Sequence, residues 1–287
     1  MKLSCVFIVK NEEEILETAL KSVEGADEIV VIDTGSTDRT KEIAAKYTDK
    51  IFDFPWCDDF AAARNEAIKR ATGDWIYSID ADQQLLSPIS LVKSEIERAE
   101  KDGHKVIMVK TLAGKNRNQM HWREVLFKKD PEVFWVGAVH ESLSIRGTFK
   151  SEIERFRGSS KSKLADPERN LRILEKQEKT QRHLFYLGRE NYERKRYAEA
   201  IKWLTQYVAK PSWNAERAEA YLTLAQSYWY SQQGDKAREA CLRAIQTNPD
   251  FKEALLLMST MSFSPHKEKW ARLATAANNS DVLFVRT

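Results

Sequence analysis

The stretch GDWIYSIDADQQLL, residues 73–86, decides how the first half of this chain is interpreted. Residues 75–79 have the length and the aromatic and β-branched content of a buried strand. That strand runs into Asp80 and Asp82, which places two carboxylates at the carboxyl edge of a sheet. Because residues i and i+2 of an extended chain point the same way, both can face one cation or one polar ligand. An Asp-rich turn that only closes a strand would have the same sequence.

Three more strands are predicted before this stretch, and helices separate them. Residues 3–9 and 28–33 are nearly continuous apolar runs, as expected of strands buried on both faces, and residues 50–54 predict a third short strand. An amphipathic or alanine-rich segment follows each of them. Strands and helices that alternate four times predict a parallel sheet covered by helices, with right-handed crossovers. The first half is therefore expected to be an α/β domain.

Acidic residues lie where these strands end. Ligands of open parallel sheets bind at the carboxyl ends of the strands. Each acid alone could be a turn residue or a helix cap. Four at one edge favour a nucleotide and metal site, because a hard divalent cation prefers oxygen ligands. The four are Glu12, Asp33, Asp80 and Asp82.

The composition is that of a folded protein of two domains with an uneven charge distribution. The chain has 287 residues, and no apolar run approaches the length of a membrane span. Three scattered cysteines suit a reducing cytoplasm, and residues 1–14 predict a first strand and not a signal peptide. Residues 1–100 carry 12 Lys and Arg against 21 Asp and Glu, whereas the rest of the chain carries 34 against 22. The two halves are expected to bind different ligands.

A basic segment follows the acidic part of the chain. Residues 110–124 lose apolar periodicity and predict a long loop, and seven basic residues lie between Lys105 and Lys129 against one acid. This segment is either a solvated loop or a clamp for a diphosphate or a polyanionic acceptor. Further along, His140 and Glu141 are either a metal ligand with a base or two surface residues of a strand.

After Gly147 the sequence pattern becomes helical and repetitive. Residues 183–208 and 218–250 each predict a pair of helices, with Ala200 matching Ala240, and residues 251–277 resemble a third pair. Helical hairpins that recur at 34 to 40 residues are typical of tetratricopeptide repeats, which stack because one hairpin cannot bury its apolar face alone. A plain helical bundle is the alternative. A stacked array offers a groove for a partner or for a second copy of the chain.

These motifs together resemble the family 2 glycosyltransferases of the GT-A fold, in the bacterial and phage branch that carries tetratricopeptide-like repeats. The matching segments follow the family's order: residues 6–13, VIDTGSTDRT (31–40), FAAARNEA (60–67), GDWIYSIDAD (73–82) and GAVHESL (137–143). The resemblance implies a GT-A, Rossmann-like, mostly parallel sheet domain over residues 1–150 that binds the nucleotide-sugar. It also implies a helical domain of tetratricopeptide-like repeats over residues 151–287.

On the donor side, the resemblance implies a role for five residues. Val9, Glu12 and Asp33 would bind the nucleoside of a nucleotide-sugar, with Asp33 towards the base. Asp80 would lie near the ribose and the metal. Arg64 would stabilise this site or the diphosphate.

The metal and the chemistry are implied at three positions. Asp82 would ligate Mn²⁺ or Mg²⁺ between the diphosphate oxygens, and His140 would be a second metal ligand. A metal ion neutralises the charge that develops on a departing diphosphate. An inverting transfer also needs a general base beside the acceptor, and Glu141 is the candidate.

Two positions depart from the family's pattern. Relatives continue Asp-Ala-Asp with Glu, whereas Gln83 follows here, which bears on metal affinity. Many relatives carry Arg directly before a Leu-Phe pair, whereas Val125 stands there in this chain and Arg123 lies two residues earlier. In the family this segment faces the acceptor, so the resemblance defines the acceptor site less well than the donor site.

The sequence therefore predicts a cytoplasmic, metal-dependent, inverting glycosyltransferase that uses a UDP-sugar and a macromolecular acceptor. A peptide, a saccharide or DNA could be that acceptor. The basic second half, with its aromatic residues, also fits a phage-type enzyme that glycosylates a hydroxylated DNA base. A third hypothesis is a non-catalytic scaffold, a decayed transferase domain whose repeats bind a protein. Repeat arrays of this kind often form homodimers through the helical domain.

Overall fold

The computed structural model describes residues 1–114, 117, 119–158 and 166–277. The chain divides into two compact units, one of residues Met1–Pro167 and one that begins at Glu168. The first unit is a mixed α/β sheet with helices, and the second is entirely helical where it is described. The predicted fold class is thereby confirmed.

An eight-stranded sheet and a separate two-stranded ribbon contain the strands of the first unit. The strands are β1 (Leu3–Val9), β2 (Glu28–Asp33), β3 (Ile51–Asp53), β4 (Trp75–Ser78), β5 (Gln83–Leu85), β6 (Val106–Ala113), β7 (Gln119–Lys128), β8 (Trp135–Val136), β9 (Ser142–Leu143) and β10 (Phe149–Arg157). The order across the sheet is β3-β2-β1-β4-β7-β6-β10-β5, and β8 pairs with β9. Strands β3, β2, β1 and β4 are parallel, whereas β7 is antiparallel to both of its neighbours.

The parallel strands are buried because helices cover the sheet. Every residue of β4 is buried, and so are all but one of β1, which is why both strands have almost no polar side chains. The helices are α1 (Leu16–Lys21), α2 (Thr40–Ala44), α3 (Phe60–Arg70) and α4 (Ile89–Lys101). The Asp59 side chain caps α3 by accepting a hydrogen bond from the Ala62 amide at 2.9 Å. The alanines of α3 let it pack closely on β1 and β2.

The prediction of a long loop at residues 110–124 is wrong, because most of this segment belongs to a β-hairpin. Strands β6 and β7 pair in antiparallel register from Val106 opposite Phe127 to Ala113 opposite Gln119. Polar residues occupy inward positions of this pair, and Thr111, for example, is fully buried opposite His121. Polar inward residues remove the apolar alternation by which a strand is recognised in a sequence.

Several basic side chains of this hairpin form ion pairs on the surface. Lys105 lies 2.8 Å from Asp130, Lys110 lies 2.5 Å from Glu154 and Lys128 lies 3.0 Å from Glu100. These pairs favour the solvated-surface interpretation for the three lysines. Of the seven basic residues, Lys115 lies outside the described residues.

The boundary between the domains differs from the predicted one. Residues 149–157 form β10, which pairs with β6 and β5 inside the sheet, so a boundary at residue 150 would cut a strand. The sequence of this strand, FKSEIERFR, alternates charged residues with apolar ones and lacks the continuous apolar run of β1 or β2. Its inward positions are Ser151, Ile153 and Arg155, all of which are buried.

The second unit contains three helical hairpins, as predicted. Its described helices are α5 (Arg169–Lys176), α6 (Gln181–Glu193), α7 (Tyr197–Val208), α8 (Asn214–Tyr230), α9 (Gly234–Thr247), α10 (Lys252–Thr260) and α11 (His266–Ala276). The hairpins are α6–α7, α8–α9 and α10–α11. Gly188 packs on Leu204, and a Cβ atom at Gly188 would lie 2.4 Å from the Leu204 Cγ. A small residue is therefore required where these two helices meet.

The first two hairpins keep a constant register, which corrects the predicted match of Ala200 with Ala240. The turn residues Lys195 and Gln232 both have φ of 59°. Ala200 and Ala237 follow these turns by the same number of residues, and both are fully buried. The structural equivalent of Ala200 is therefore Ala237, and no insertion separates the matched positions.

Within the described residues, every helix is too short or too polar to cross a bilayer. The three cysteines are free in this structure. Cys5 and Cys241 are buried, whereas Cys57 is exposed.

A buried carboxylate joins β1, β2 and the turn before β4. Glu28 is 6% exposed and accepts hydrogen bonds from the Ser4 hydroxyl, the Lys50 ammonium and the Thr72 amide, the last at 2.7 Å. Burial alone would raise the pKa of Glu28, but these donors outweigh it and lower the pKa from 4.5 to about 2.

This network predicts a pH-dependent stability. Because the pKa of Glu28 is lower in the folded state, its contribution is complete above pH 4.5 and is lost as the pH falls towards 2. We expect Glu28→Gln to lower the free energy of unfolding at pH 7 by about 2–3 kcal/mol. Urea titrations at several pH values should show this loss shrinking below pH 4.5. The exposed neighbour Glu24, changed to Gln, is the control, and an equal or pH-independent loss in both variants would contradict the prediction.

Candidate active site

The ends of β1 and β2 form one side of the candidate site. Asp33, the last residue of β2, is 1% exposed, and its Oδ1 accepts hydrogen bonds from the amides of Gly35 and Ser36 at 2.9 and 2.8 Å. Its Oδ2 is buried and accepts no hydrogen bond from the described residues. Val9, which ends β1, is buried, and its carbonyl accepts from the Thr34 amide at 2.9 Å. Asp33 thus holds one fixed oxygen and one oxygen available to a donor group of a ligand.

The loop after β1 is tied to the loop after β2. The Glu12 amide donates to the Thr40 hydroxyl at 2.8 Å, and the Asn11 side chain accepts from the Thr37 amide at 2.8 Å. Asn11 itself has φ of 53°, a left-handed conformation that Asn tolerates better than most residues. Glu12 therefore lies beside the Asp33 loop, as the sequence predicted for the two acids.

Arg64 connects two of the predicted site residues. From helix α3 its Nη2 donates to Asp80 Oδ1 at 2.7 Å, its Nε donates to Glu141 Oε1 at 2.7 Å, and its Nη1 donates to Ser78 Oγ at 3.1 Å. The side chains of Arg64, Asp80 and Glu141 are 11%, 29% and 15% exposed. Burial alone would lower the pKa of Arg64, but the charges of Asp80 and Glu141 outweigh it and raise the pKa above its ordinary value.

Helix α3 also fixes the segment that carries Glu141. The Asn65 side chain donates to the Trp135 carbonyl at 2.9 Å and accepts from the Trp135 amide at 2.8 Å. The Phe60 amide donates to the Ala138 carbonyl at 2.8 Å. The Arg64 guanidinium lies 5.1 Å from the centre of the Trp135 ring. The motifs FAAARNEA and GAVHESL, far apart in sequence, therefore form one rigid structure.

Gln83 holds Asp80 from the opposite side. Its Nε2 donates to Asp80 Oδ2 at 2.9 Å, and its Oε1 accepts from the Asp80 amide at 3.1 Å. A glutamate at position 83 would place a second negative charge beside Asp80. The amide of Gln83 can donate a hydrogen bond to this carboxylate, so it is the better partner. The departure from the family's Glu thus has a structural reason in this chain.

Asp82 and His140, the predicted metal ligands, occupy different segments. The Asp82 side chain is 3% exposed, and its Oδ2 lies 3.7 Å from Arg157 Nε. His140 has φ of 55° and is half-buried. In the described part of the chain, His, Cys, Asp and Glu form no group of three or more that could hold a metal. One carboxylate and one imidazole fit a Mg²⁺ or Mn²⁺ ion only if phosphate oxygens complete its coordination, which is common for such ions.

The model of the family "Glycosyl transferase family 2" matches residues 4–158, more than half of the chain. The chain belongs to glycosyl transferase family 2. The matched residues include every position of the candidate site, from Val9 to Arg157.

The chain matches about a third or less of the length of the curated relatives. A TPR repeat-containing protein of Synechococcus elongatus is 39% identical over 142 residues, which are 49% of this chain and 35% of that protein. The glycosyltransferase SunS of Bacillus phage SPbeta is 40% identical over 89 residues, which are 28% of this chain and 20% of SunS. Among solved structures, S. aureus TarS 1-349 in complex with UDP-GlcNAc aligns with a TM-score of 0.46 and 13% identity, over 87% of this chain and 90% of that one.

The family 2 unit also has site residues that the sequence did not predict. A small, partly open recess lies beside Arg64. Its lining consists of Arg64, Ser78, Asp80, Gln83, Arg123, Val125, Trp135, Glu141 and Arg155. Of these, Arg155 escaped notice because it was assigned to the helical half. Its alternation with the buried Ser151 and Ile153 along one face of β10 is the signal that the sequence offers.

The recess side of the sheet is strongly positive. Burial, followed by the charges of Arg123, Arg155 and Arg157, lowers the pKa of His121 to about 4. The imidazole is therefore neutral at pH 7. Arg157 of β10 lies 3.7 Å from Asp82, and Arg123 and Arg155 line the recess together with Asp80.

Proposed function

We propose that this chain transfers a sugar from a nucleotide-sugar, a UDP-sugar, to a hydroxyl group of a macromolecular acceptor, with inversion at the anomeric carbon. The observation that carries the proposal is the Arg64 bridge between Asp80 and Glu141, next to the Asp33 end of the sheet. Family membership and the relatives named as glycosyltransferases support it. The catalytic unit would be residues 1–167.

The nucleoside would bind at the ends of β1 and β2. The buried Asp33 Oδ2 suits a ligand with an N–H group, and uracil presents one at N3. Val9 and Glu12 would contact the same nucleoside from the β1 loop. Asp80, one strand further along, would lie beside the ribose and the diphosphate.

Glu141 would act as the general base. Its Oε1 is fixed by Arg64, whereas its Oε2 accepts no hydrogen bond from any described residue. Oε2 would take the proton of the acceptor hydroxyl while the acceptor oxygen attacks the anomeric carbon and the bond to the diphosphate breaks. Arg64 orients this carboxylate and Asp80 together, and the diphosphate leaves with the nucleoside.

Asp82 and His140 would hold a Mn²⁺ or Mg²⁺ ion together with the diphosphate. When bound, such an ion supplies Lewis acidity that neutralises the charge of the leaving diphosphate. Gln83 does not replace the missing acid, because hydrogen bonds with Asp80 already occupy its amide.

The helical hairpins would bind the acceptor or a second copy of the chain, as stacked repeats commonly do. The DNA hypothesis gains no specific support from the basic segment, where Lys105, Lys110 and Lys128 form ion pairs.

The proposal is tested by hydrolysis of the donor in the absence of an acceptor. We expect slow release of UDP from UDP-glucose or UDP-N-acetylglucosamine, and a loss of at least about 100-fold in Asp82→Ala. Asp53→Ala, an exposed acid at the end of β3, is the control and should retain full activity. No turnover with any donor in the folded wild-type protein would support the scaffold hypothesis instead.

A further inference from the structure

Arg155 is a buried cation with neutral partners. It is 2% exposed, its Nε donates to the Thr111 hydroxyl at 2.8 Å, and its Nη1 donates to Gln83 Oε1 at 2.6 Å. No carboxylate among the described residues forms an ion pair with it. A buried charge without a counterion is costly, so an arginine in such a position is expected to meet an anion from outside the chain.

The recess beside Arg155 has an excess of positive charge. Three arginines line it, at positions 64, 123 and 155, against the two carboxylates of Asp80 and Glu141. Both carboxylates form ion pairs with Arg64, and the charge of Asp80 acts on Arg155 without a direct ion pair. Trp135 also lines the recess, and its buried Nε1–H finds no acceptor among the described residues. The lining is therefore rich in donors for an oxyanion.

The recess arginines of β7 and β10 lie beyond β4 in the strand order, whereas the proposed nucleoside site lies at the ends of β1 and β2. Asp33 ends β2, whereas Arg123 and Arg155 belong to β7 and β10, on the other side of β4 in the strand order β2-β1-β4-β7-β6-β10. Glu141, the proposed base, lines the recess too. A donor nucleotide that extends from β2 to β4 would reach Asp80 at one wall of this recess and leave the arginines of β7 and β10 to the acceptor.

We propose that the recess binds an anionic group of the acceptor, a phosphate or carboxylate close to the reacting hydroxyl, through Arg155 and Arg123. This inference rests on the proposed function for the identity of the ligand as an acceptor. The planar guanidinium of Arg155 can give two parallel hydrogen bonds to such a group, which fixes its orientation as well as its position. Acceptors that lack the anionic group would then be poor substrates.

The experiment is a calorimetric titration of the full chain with inorganic phosphate at constant ionic strength, with and without saturating UDP. The variants are Arg155→Gln and Arg123→Gln, and the control is Arg70→Gln, an exposed arginine of α3 that pairs with Glu66. We expect phosphate to bind the UDP-loaded protein and to bind about tenfold or more weakly in both variants. The affinity for UDP should stay unchanged in all three.

Two results would overturn the proposal. In the first, phosphate and UDP exclude each other and both variants lose affinity for UDP, which would assign the arginines to the donor diphosphate. In the second, phosphate does not bind the wild-type protein, or it binds the two variants and the control with equal affinity. If Arg155→Gln does not fold, Arg123→Gln decides, because Arg123 is exposed on β7. Phosphate binding that depends on these arginines in a chain that does not bind UDP would support the anion site and contradict the proposed function.

Discussion

Replacing Arg64 by methionine is expected to lower the free energy of unfolding by about 3–5 kcal/mol. Methionine keeps much of the side-chain volume but removes the charge that Asp80 and Glu141 share. Both carboxylates would remain largely shielded from water without a cation at 2.7 Å. Urea titration monitored by circular dichroism measures the change directly.

Arg70→Met is the matched control for this prediction. Arg70 lies on the same helix, is 44% exposed and pairs with Glu66. A surface ion pair contributes at most about 1 kcal/mol, so this variant should be close to wild type. The double variant Arg64→Met with Asp80→Asn should recover part of the loss, because only one charged carboxylate remains. Equal effects of the two methionine variants would contradict a shared buried bridge.

Replacing Glu141 by glutamine is expected to lower the turnover of the donor by about 10²–10⁴-fold. Glutamine keeps an oxygen that can accept from Arg64 but cannot take a proton from the attacking hydroxyl. The affinity for UDP should be unchanged, because Glu141 lies on the recess side and not among the Asp33 loops. Steady-state hydrolysis of the UDP-sugar gives the turnover, and calorimetry gives the affinity.

A loss of structure could also lower turnover, so the free energy of unfolding is measured for the same variant. The exposed acid Glu132, which pairs with Lys105, is changed to Gln as the control. Turnover within about threefold of wild type in the folded variant would remove Glu141 as the base.

The elements that the sequence predicted best are those whose signal is local. β1, β2 and β4 are buried on both faces, so their apolar runs identify them without knowledge of their partners. The helical hairpins could also be predicted from the local sequence, because small residues such as Gly188 and Ala200 lie where the helices pack closely. Membership of family 2 followed from motifs that lie within this local part.

The elements that were missed have polar residues inside the sheet. The β6–β7 hairpin buries Thr111, and β10 buries Ser151 and Arg155, so neither shows apolar alternation. Their inward polar groups are satisfied by each other, as in the hydrogen bond of Arg155 to Thr111. Such pairings depend on strand register, which the linear pattern does not specify.

In the site, too, single residues could be predicted from the local sequence, but the contacts between them could not. The sequence singled out Arg64, Asp80 and Glu141 one by one, but the bridge between them joins residues of α3, the end of β4 and the segment after β8. Gln83 was noticed only as a departure, and its contact with Asp80 explains the amide. The roles of these residues in catalysis stay predictions.

The measurement that tests the proposed donor site most directly is a calorimetric titration with UDP, with and without Mn²⁺, on wild type, Asp82→Ala and the control Asp53→Ala. We predict UDP binding that Mn²⁺ strengthens, and that Asp82→Ala weakens while Asp53→Ala leaves it unchanged. UDP binding that is indifferent to both the metal and Asp82, or no UDP binding at all, would contradict a nucleotide-sugar site at the carboxyl edge of this sheet.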